Sequence, residues 1–344
     1  MDTNIILTDP VYRPKNRLNP IERLGSHVVN DPRDLPFITL QIKLTLIIIP
    51  LAVLMYLIDI RWWMPLPYLA FVLGVYLGPY TLMLHNSSHR VLYKQQYRWL
   101  GIYMTWILGP FFGHTPGTYY VHHIGMHHPE NNLTDDLSTT MPYQRDSFKD
   151  FMRYFGRFFV AVVPELALYM WRRRRIRLFR NLLIGEISFV IFIVVMMLID
   201  WQATLVVFIA PTIIARFAMM AGNWAQHAFI DREDPANCYR NSITCINSTY
   251  NKRCFNDGYH IGHHLKANRH WTDMPTDFVA NRERYAKEQA IVFEGVDFFV
   301  VWLMLMAKRY DALAKRFVPL VENPPSREEI VAMLKERTRR ISFG

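Results

Sequence analysis

Four long apolar segments constrain most strongly what this chain can fold into. They cover residues 44–58, 64–84, 182–199 and 203–221. Each is close to the ~20 residues that cross the hydrocarbon core of a bilayer, and helices of soluble proteins seldom run so long without a polar face. Residues of the hydrophobic class make up 51% of the chain, which excludes disorder as its main state. The pattern predicts four transmembrane helices.

The distribution of charge predicts how these helices are oriented. The short turns at residues 59–63 and 200–202 hold one basic residue between them, so the four helices form two hairpins. The opposite ends are flanked by a basic N-terminal segment and by four consecutive arginines at 172–175. The positive-inside rule therefore places both termini and the connection 85–181 in the cytoplasm of a bacterial or endoplasmic reticulum membrane. Because the basic residues sit beside membrane ends, the net charge of +10 favours lipid headgroups over nucleic acid as the partner.

The remaining segments complete an all-α prediction, in which a cytoplasmic helical cap joins the two hairpins. Residues 99–112 and 151–170 are expected to be interfacial helices, residues 298–306 are too short to span a membrane, and a helix start is expected near Ser326. The predicted organisation is an N-terminal segment (1–38), a membrane domain (39–290), and an interfacial helix with a charged tail (291–344).

Histidines are concentrated at one side of the predicted membrane domain. Of the thirteen in the chain, seven lie in residues 85–128 and five in residues 227–270, and each window begins at the predicted cytoplasmic end of a hairpin. Their spacing is regular, since residues four apart share one face of a helix. The groups are His85 with His89, His123 with His127 and His128, Asn223 with His227, and His260 with His263 and His264.

Metal binding explains these groups best. Neutral imidazole is a ligand for iron, zinc, copper and nickel, whereas a structural zinc site takes four ligands and usually includes cysteine. Nine histidines are too many for one ion and suit two. A pH-sensing cluster is an alternative, but it does not require this regular spacing.

The motifs resemble those of the integral-membrane fatty acid desaturase superfamily. The family's three histidine boxes are matched in order by His85-Asn-Ser-Ser-His89, His123-Ile-Gly-Met-His127-His128 and His260-Ile-Gly-His263-His264. Asn223-Trp-Ala-Gln-His227 is similar to the NxxxH element of acyl-CoA desaturases, and residues 127–136 (HHPENNLTDD) resemble the acidic continuation of the second box. The resemblance covers roughly residues 40–290, and it is specific as a set.

The resemblance implies two irons that use O2 as co-substrate, with no catalytic residues beyond the metal ligands. The implied ligands are His85, His89, His123, His127, His128, His227, His260, His263 and His264, with Asn223 meeting iron through water. Carboxylates commonly orient ligating imidazoles, and the candidates by sequence proximity are Asp135, Asp136, Asp257 and Asp273. His114, His122 and His270 stay outside the predicted ligand set.

Several functions fit these motifs. The hydrogens of an unactivated C–H bond are not acidic enough for a general base to remove. A redox metal must therefore carry the reaction. Desaturation of an acyl-CoA, an acyl-lipid or a free acid is the leading hypothesis. The alternatives are alkyl hydroxylation, oxidative decarboxylation to a terminal alkene, and a non-catalytic lipid-binding protein.

The sequence contains no motif for a built-in electron donor. Neither an HPGG haem element nor a GxGxxG fingerprint occurs, so an external ferredoxin or cytochrome-type donor is expected.

Two ionisable residues lie inside the apolar segments, where an isolated charge is costly. Glu186 is about one turn from the cytoplasmic end of the third predicted helix, and Arg216 lies at a similar depth in the fourth. We expect the two residues to form an ion pair.

Overall fold

A computed structural model describes residues 5–341, and these are mostly helical. Four helices are long and apolar enough to cross a membrane: Pro32–Leu57, Pro65–His89, Ile176–Ile199 and Trp201–Gln226. They cover the four predicted segments to within one residue and extend beyond each of them at one end or both. Leu198 is 83% exposed and Leu57 76% exposed. Apolar side chains this exposed along a helix are typical of a lipid-facing surface.

All the other helices except Phe148–Arg172, which has 25 residues, are shorter, and several match predicted segments. Residues 99–112 are helical throughout, and the tail helix begins at Ser326, whose side chain forms a capping box with Glu329. These helices are Pro20–Val28, Trp99–Tyr103, Met104–Leu108, Gly109–Phe112, Thr118–His122, His123–His127, His128–Glu130, Phe148–Arg172, Cys238–Asn241, Thr249–Arg253, His260–Leu265, Met274–Ala280, Arg282–Lys287, Phe298–Met306, Tyr310–Ala314 and Arg327–Arg337.

A small parallel sheet departs from the all-α prediction. Strand β1 (Ile243–Ile246) pairs with β2 (Ile291–Glu294), with Ile243 opposite Ile291. Both strands are rich in β-branched residues, which favour the extended conformation. Each has only four residues, and its partner lies almost fifty residues away, so local periodicity could not predict the pairing.

The chain divides into two compact units. Unit 1 comprises residues 5–11, 126–166 and 218–341, and unit 2 comprises residues 12–125 and 167–217. In the core of unit 1, the Phe151 ring contacts those of Trp224 and Trp302, at centroid distances of 5.5 and 4.8 Å. In unit 2, Tyr80 stacks on Phe112 at 4.5 Å. The division into segments 1–38, 39–290 and 291–344 stays a prediction.

Candidate metal centre

Unit 2 brings together three of the predicted ligands, His85, His89 and His123, which we call the unit 2 set. His85 and His89 lie on the last turn of the helix Pro65–His89. The Nε2 atoms of His89 and His123 are 2.9 Å apart, and the rings of His85 and His123 are 4.6 Å apart. Each of the three offers a ring nitrogen within 4.8 Å of those of the other two. The first box and the start of the second therefore converge.

The second box lies on a π-helical turn, His123–His127. Such turns are rare and are frequently found at functional sites. Gly125, within this turn, lies close to side chains of two other helices. A Cβ at Gly125 would be 2.7 Å from Met170 Cε and 3.0 Å from Leu178 Cδ1. The guanidinium of Arg175 donates a hydrogen bond to the Gly125 carbonyl. These contacts fix the backbone of the second box.

Unit 1 holds the other six predicted ligands, which we call the unit 1 set. The closest Nε2 atoms are those of His128 and His263, at 2.9 Å, and those of His260 and His264, at 3.0 Å. The Nε2 atoms of His260 and His227 are 3.3 Å apart. The ring nitrogens of His127, His227 and His264 also lie within 4.8 Å of one another.

Fixed acceptors orient two of these imidazoles. His127 Nδ1 lies 2.8 Å from the Oδ2 atom of Asp136, which is one of the four candidate carboxylates. Ser138 in turn donates to Asp136 from its backbone N–H and its hydroxyl, at 2.8 and 2.7 Å. His227 Nδ1 donates to the Asn241 carbonyl at 2.9 Å. An Nδ1–H held in this way leaves Nε2 as the free lone pair.

Two histidines of the unit 1 set, His227 and His264, are held neutral by their surroundings. Burial and, to a smaller extent, the nearby His127 together lower the pKa of His227 to about 3. Burial also lowers the pKa of His264 well below its usual range, as do His260 and the other surrounding imidazoles. Because only neutral imidazole binds a metal through its lone pair, these residues present ligand atoms at neutral pH.

The side-chain amide of Asn223 is held in unit 1 by two hydrogen bonds. Its amide nitrogen donates to the Ser138 carbonyl at 3.1 Å and to the Tyr154 hydroxyl at 2.7 Å. The predicted contact with iron through water would use the remaining oxygen, and it stays a prediction. Sequence reasoning missed the partners that fix these side chains, namely Ser138, Tyr154 and Asn241, because they come from distant segments.

The histidines outside the predicted ligand set include two with hydrogen-bonding roles of their own. His114 Nε2 lies 3.0 Å from the Thr81 hydroxyl, and burial lowers the His114 pKa to about 3. The His270 side chain accepts from the Thr272 backbone N–H and caps the turn Trp271–Asp273. The exclusion of His122 from the ligand set stays a prediction.

The membrane-embedded carboxylate has partners that were not predicted. Glu186 accepts hydrogen bonds from the hydroxyls of Thr115 and Thr118, at 2.6 and 2.5 Å. Gly185 permits this close approach, since a Cβ there would lie 1.7 Å from the Pro116 carbonyl oxygen. The charge of Glu186 also acts on Arg216 through space. The direct ion pair stays a prediction.

A cavity of about 290 Å³ in unit 2 lies on a different face of the helix that carries the first box. Its walls include Leu84, Ser87 and Ser88, which share one face of this helix, as well as Val91 just beyond the helix end and Tyr120, three residues before the second box. Successive helical residues are rotated by about 100°, so this face adjoins that of His85 and His89. The exposed Arg98 also lines the cavity.

These features define a helical membrane protein with a histidine-rich centre suited to a metal. A family model described as "Fatty acid desaturase" matches residues 61–295, more than half of the chain. The chain belongs to the fatty acid desaturase family, a family of fatty-acid-modifying oxidoreductases that use iron and O2. A search of curated proteins found no match, and neither did a search of solved structures.

Proposed function

We propose that this protein is an O2-dependent oxidoreductase that desaturates a fatty acyl chain, with two irons held by nine histidines. The proposed ligands are the unit 2 set and the unit 1 set, and Asn223 is proposed to contact iron through water. The observation that carries the proposal is that ring nitrogens face one another in pairs at 2.9–3.3 Å.

The chemistry of the donor set supports a shared cation. Two nitrogens that bind one ion at about 2.1 Å and at a right angle to each other are about 3.0 Å apart. The measured pairs match this separation. Neutral imidazoles also have no charge to repel a cation, and the preference of nitrogen ligands for middle and late transition metals includes iron. The residues present therefore fit the metal that the family uses.

Bound iron would supply the one-electron chemistry with O2 that no side chain provides. In the complete reaction, the substrate forms a C=C bond and gives up two hydrogens to O2, which also takes up two electrons from the donor and two protons, so that two waters are formed. The donor supplies the electrons, and we expect it to be an external ferredoxin or cytochrome-type protein. The protein's own contribution is orientation: Asp136 and the Asn241 carbonyl hold His127 and His227, and burial keeps His227 and His264 neutral.

The lipid-facing helices and the apolar cavity support an acyl substrate taken from the bilayer. The cavity wall is mainly apolar, and the Ser87 and Ser88 hydroxyls donate to backbone carbonyls of Leu84 and His85. Their hydrogen-bonding capacity is therefore partly used within the helix, which suits an alkyl chain as the occupant. Arg98 at the wall can attract an anionic head.

The test is expression of the full chain in a host of known lipid composition, followed by mass spectrometry of all acyl products and measurement of iron in the purified protein. We expect about two irons per chain and a new double bond. His263→Ala should abolish the product, whereas His27→Ala, which changes an exposed histidine, should not. A hydroxyl or a terminal alkene would select another reaction of the same oxidant. Absence of iron would contradict the proposal.

A further inference from the structure

Arg145 is fully buried, with an exposed fraction of 0%, in the segment that follows the second box. Its guanidinium donates to six backbone carbonyls, and among the described residues it contacts no carboxylate. Burial lowers the pKa of Arg145 to about 9, so the side chain stays protonated at neutral pH. A buried charge is retained only where its donors are satisfied.

These carbonyls belong to three separate parts of unit 1. Nε donates to Ala228, at 2.9 Å, and Nη1 to Met141, at 3.2 Å. Nη2 donates to Arg337 and Arg339, at 3.0 and 2.6 Å. The planar guanidinium of Arg145 thus joins three parts of the chain. These are the loop after the second box, the residue that follows His227, and the C-terminal segment, which comprises residues 337–341.

Thr140, in the same loop, links this junction to two predicted ligands. Its hydroxyl donates to the His227 carbonyl at 2.7 Å, and its backbone N–H donates to Asn132 Oδ1 at 2.8 Å. The Asn132 N–H in turn donates to Asp136 Oδ2 at 2.9 Å, the oxygen that lies beside His127 Nδ1. Displacement of the loop would therefore move both His127 and His227.

The C-terminal segment is held to this loop by backbone hydrogen bonds. The Arg145 N–H donates to the Thr338 carbonyl, and the Ile341 N–H donates to the Met141 carbonyl, each at 2.9 Å. The Ile230 N–H donates to the Arg337 carbonyl, also at 2.9 Å. Residues 337–341 lie beyond the family match, which ends at residue 295.

We propose that Arg145 and the C-terminal segment position the metal ligands His127 and His227, so that residues outside the family match determine how tightly iron is held. This inference rests on the proposed function, because it assumes that these histidines bind iron. Arg145 acts through other residues, and it is a positioning residue. Partners that orient metal ligands typically change metal affinity by about 10- to 100-fold when they are altered.

The experiment measures the rate at which a chelator removes Fe(II) from the purified full chain, at a temperature well below unfolding. The variants are Arg145→Lys, which keeps the charge but loses the planar fork, and Thr140→Val, which removes the hydroxyl at His227. Ile341→Pro removes the N–H that holds the C-terminal segment, and Ile341→Val is its matched control. Arg327→Met changes a half-exposed arginine whose ion pair with Asp311 is at the surface.

We expect Arg145→Lys, Thr140→Val and Ile341→Pro to release iron about 10-fold faster or more, and both controls to match the wild type. A purely structural role would lower the melting temperature of the metal-free protein without changing iron release from the folded state. Wild-type release rates in folded Arg145→Lys and Thr140→Val would overturn the inference. A wild-type protein without iron would instead contradict the proposed function, so the two failures are distinguishable.

Discussion

His127 Nδ1 lies 2.8 Å from Asp136 Oδ2, and both side chains are buried in unit 1. Asp135, the next residue along the chain, is exposed. Asp135 and Asp136 were equal candidates by their position in the sequence, but their environments in the structure differ. The buried one holds a predicted ligand in a fixed tautomer, and the exposed one provides a matched control for its effect.

We expect Asp136→Asn to weaken iron binding by about 10- to 100-fold, because an amide is a poorer acceptor for His127 and loses the negative charge beside it. Asp135→Asn should leave iron binding unchanged. Competition with a chelator of known affinity measures both. Equal behaviour of the two variants would refute a specific role for Asp136.

The unit 1 set predicts a loss of metal when one of its central members is removed. His264 Nε2 lies 3.0 Å from His260 Nε2, so we expect His264→Ala to lower the iron content by at least one ion per chain and to abolish the acyl product. His27→Ala should retain both. Elemental analysis of the two purified variants checks the iron content, and full iron content in His264→Ala would remove that residue from the ligand set.

Replacement of glycine by alanine is expected to have opposite effects on stability at two positions. Gly185→Ala places a Cβ 1.7 Å from a backbone oxygen of Pro116, so the helix Ile176–Ile199 must shift, and we expect a severe loss of folded protein. A Cβ at Gly156 meets nothing within 4 Å, and alanine there should stabilise the helix by about 0.5–1 kcal/mol. Thermal unfolding in detergent compares them. Wild-type stability of Gly185→Ala would contradict the close approach.

Glu186 should contribute to stability without contributing to metal binding. Glu186→Gln removes the charge that acts on Arg216, and Thr118→Val removes a hydroxyl donor from the carboxylate. We expect each to cost about 1–3 kcal/mol, with iron content unchanged. Glu165→Gln is the control, because Glu165 forms its ion pair with the half-exposed Arg157. If Glu186→Gln melted like Glu165→Gln, the network around Glu186 would have no structural role.

The proposed orientation places the turns at residues 59–63 and 200–202 on the non-cytoplasmic side. Arg61 is exposed, and the new thiol of Arg61→Cys should react in intact cells with a thiol reagent that cannot cross the membrane. The new thiol of Arg177→Cys should react only after the cells are permeabilised. The opposite pattern would reverse the orientation that the charge distribution predicts.

The sequence by itself determined the features that depend on local pattern. Apolar length predicted the four long helices, and the Ser326 cap predicted where the tail helix starts, because helix formation and capping depend on residues within a few positions of each other. The three boxes predicted the family, and the family match confirms it. Eight of the nine proposed ligands followed from these boxes, and His227 followed from the NxxxH element.

Only the tertiary structure decided which distant groups meet. The pairing of β1 with β2, the choice of Asp136 over Asp135, and the hydroxyls that surround Glu186 all depend on contacts between distant segments. Arg145 is the clearest case. In the sequence it is one of many arginines, but burial separates its charge from water, and three segments that are far apart in the chain supply the carbonyls that compensate for the lost hydration.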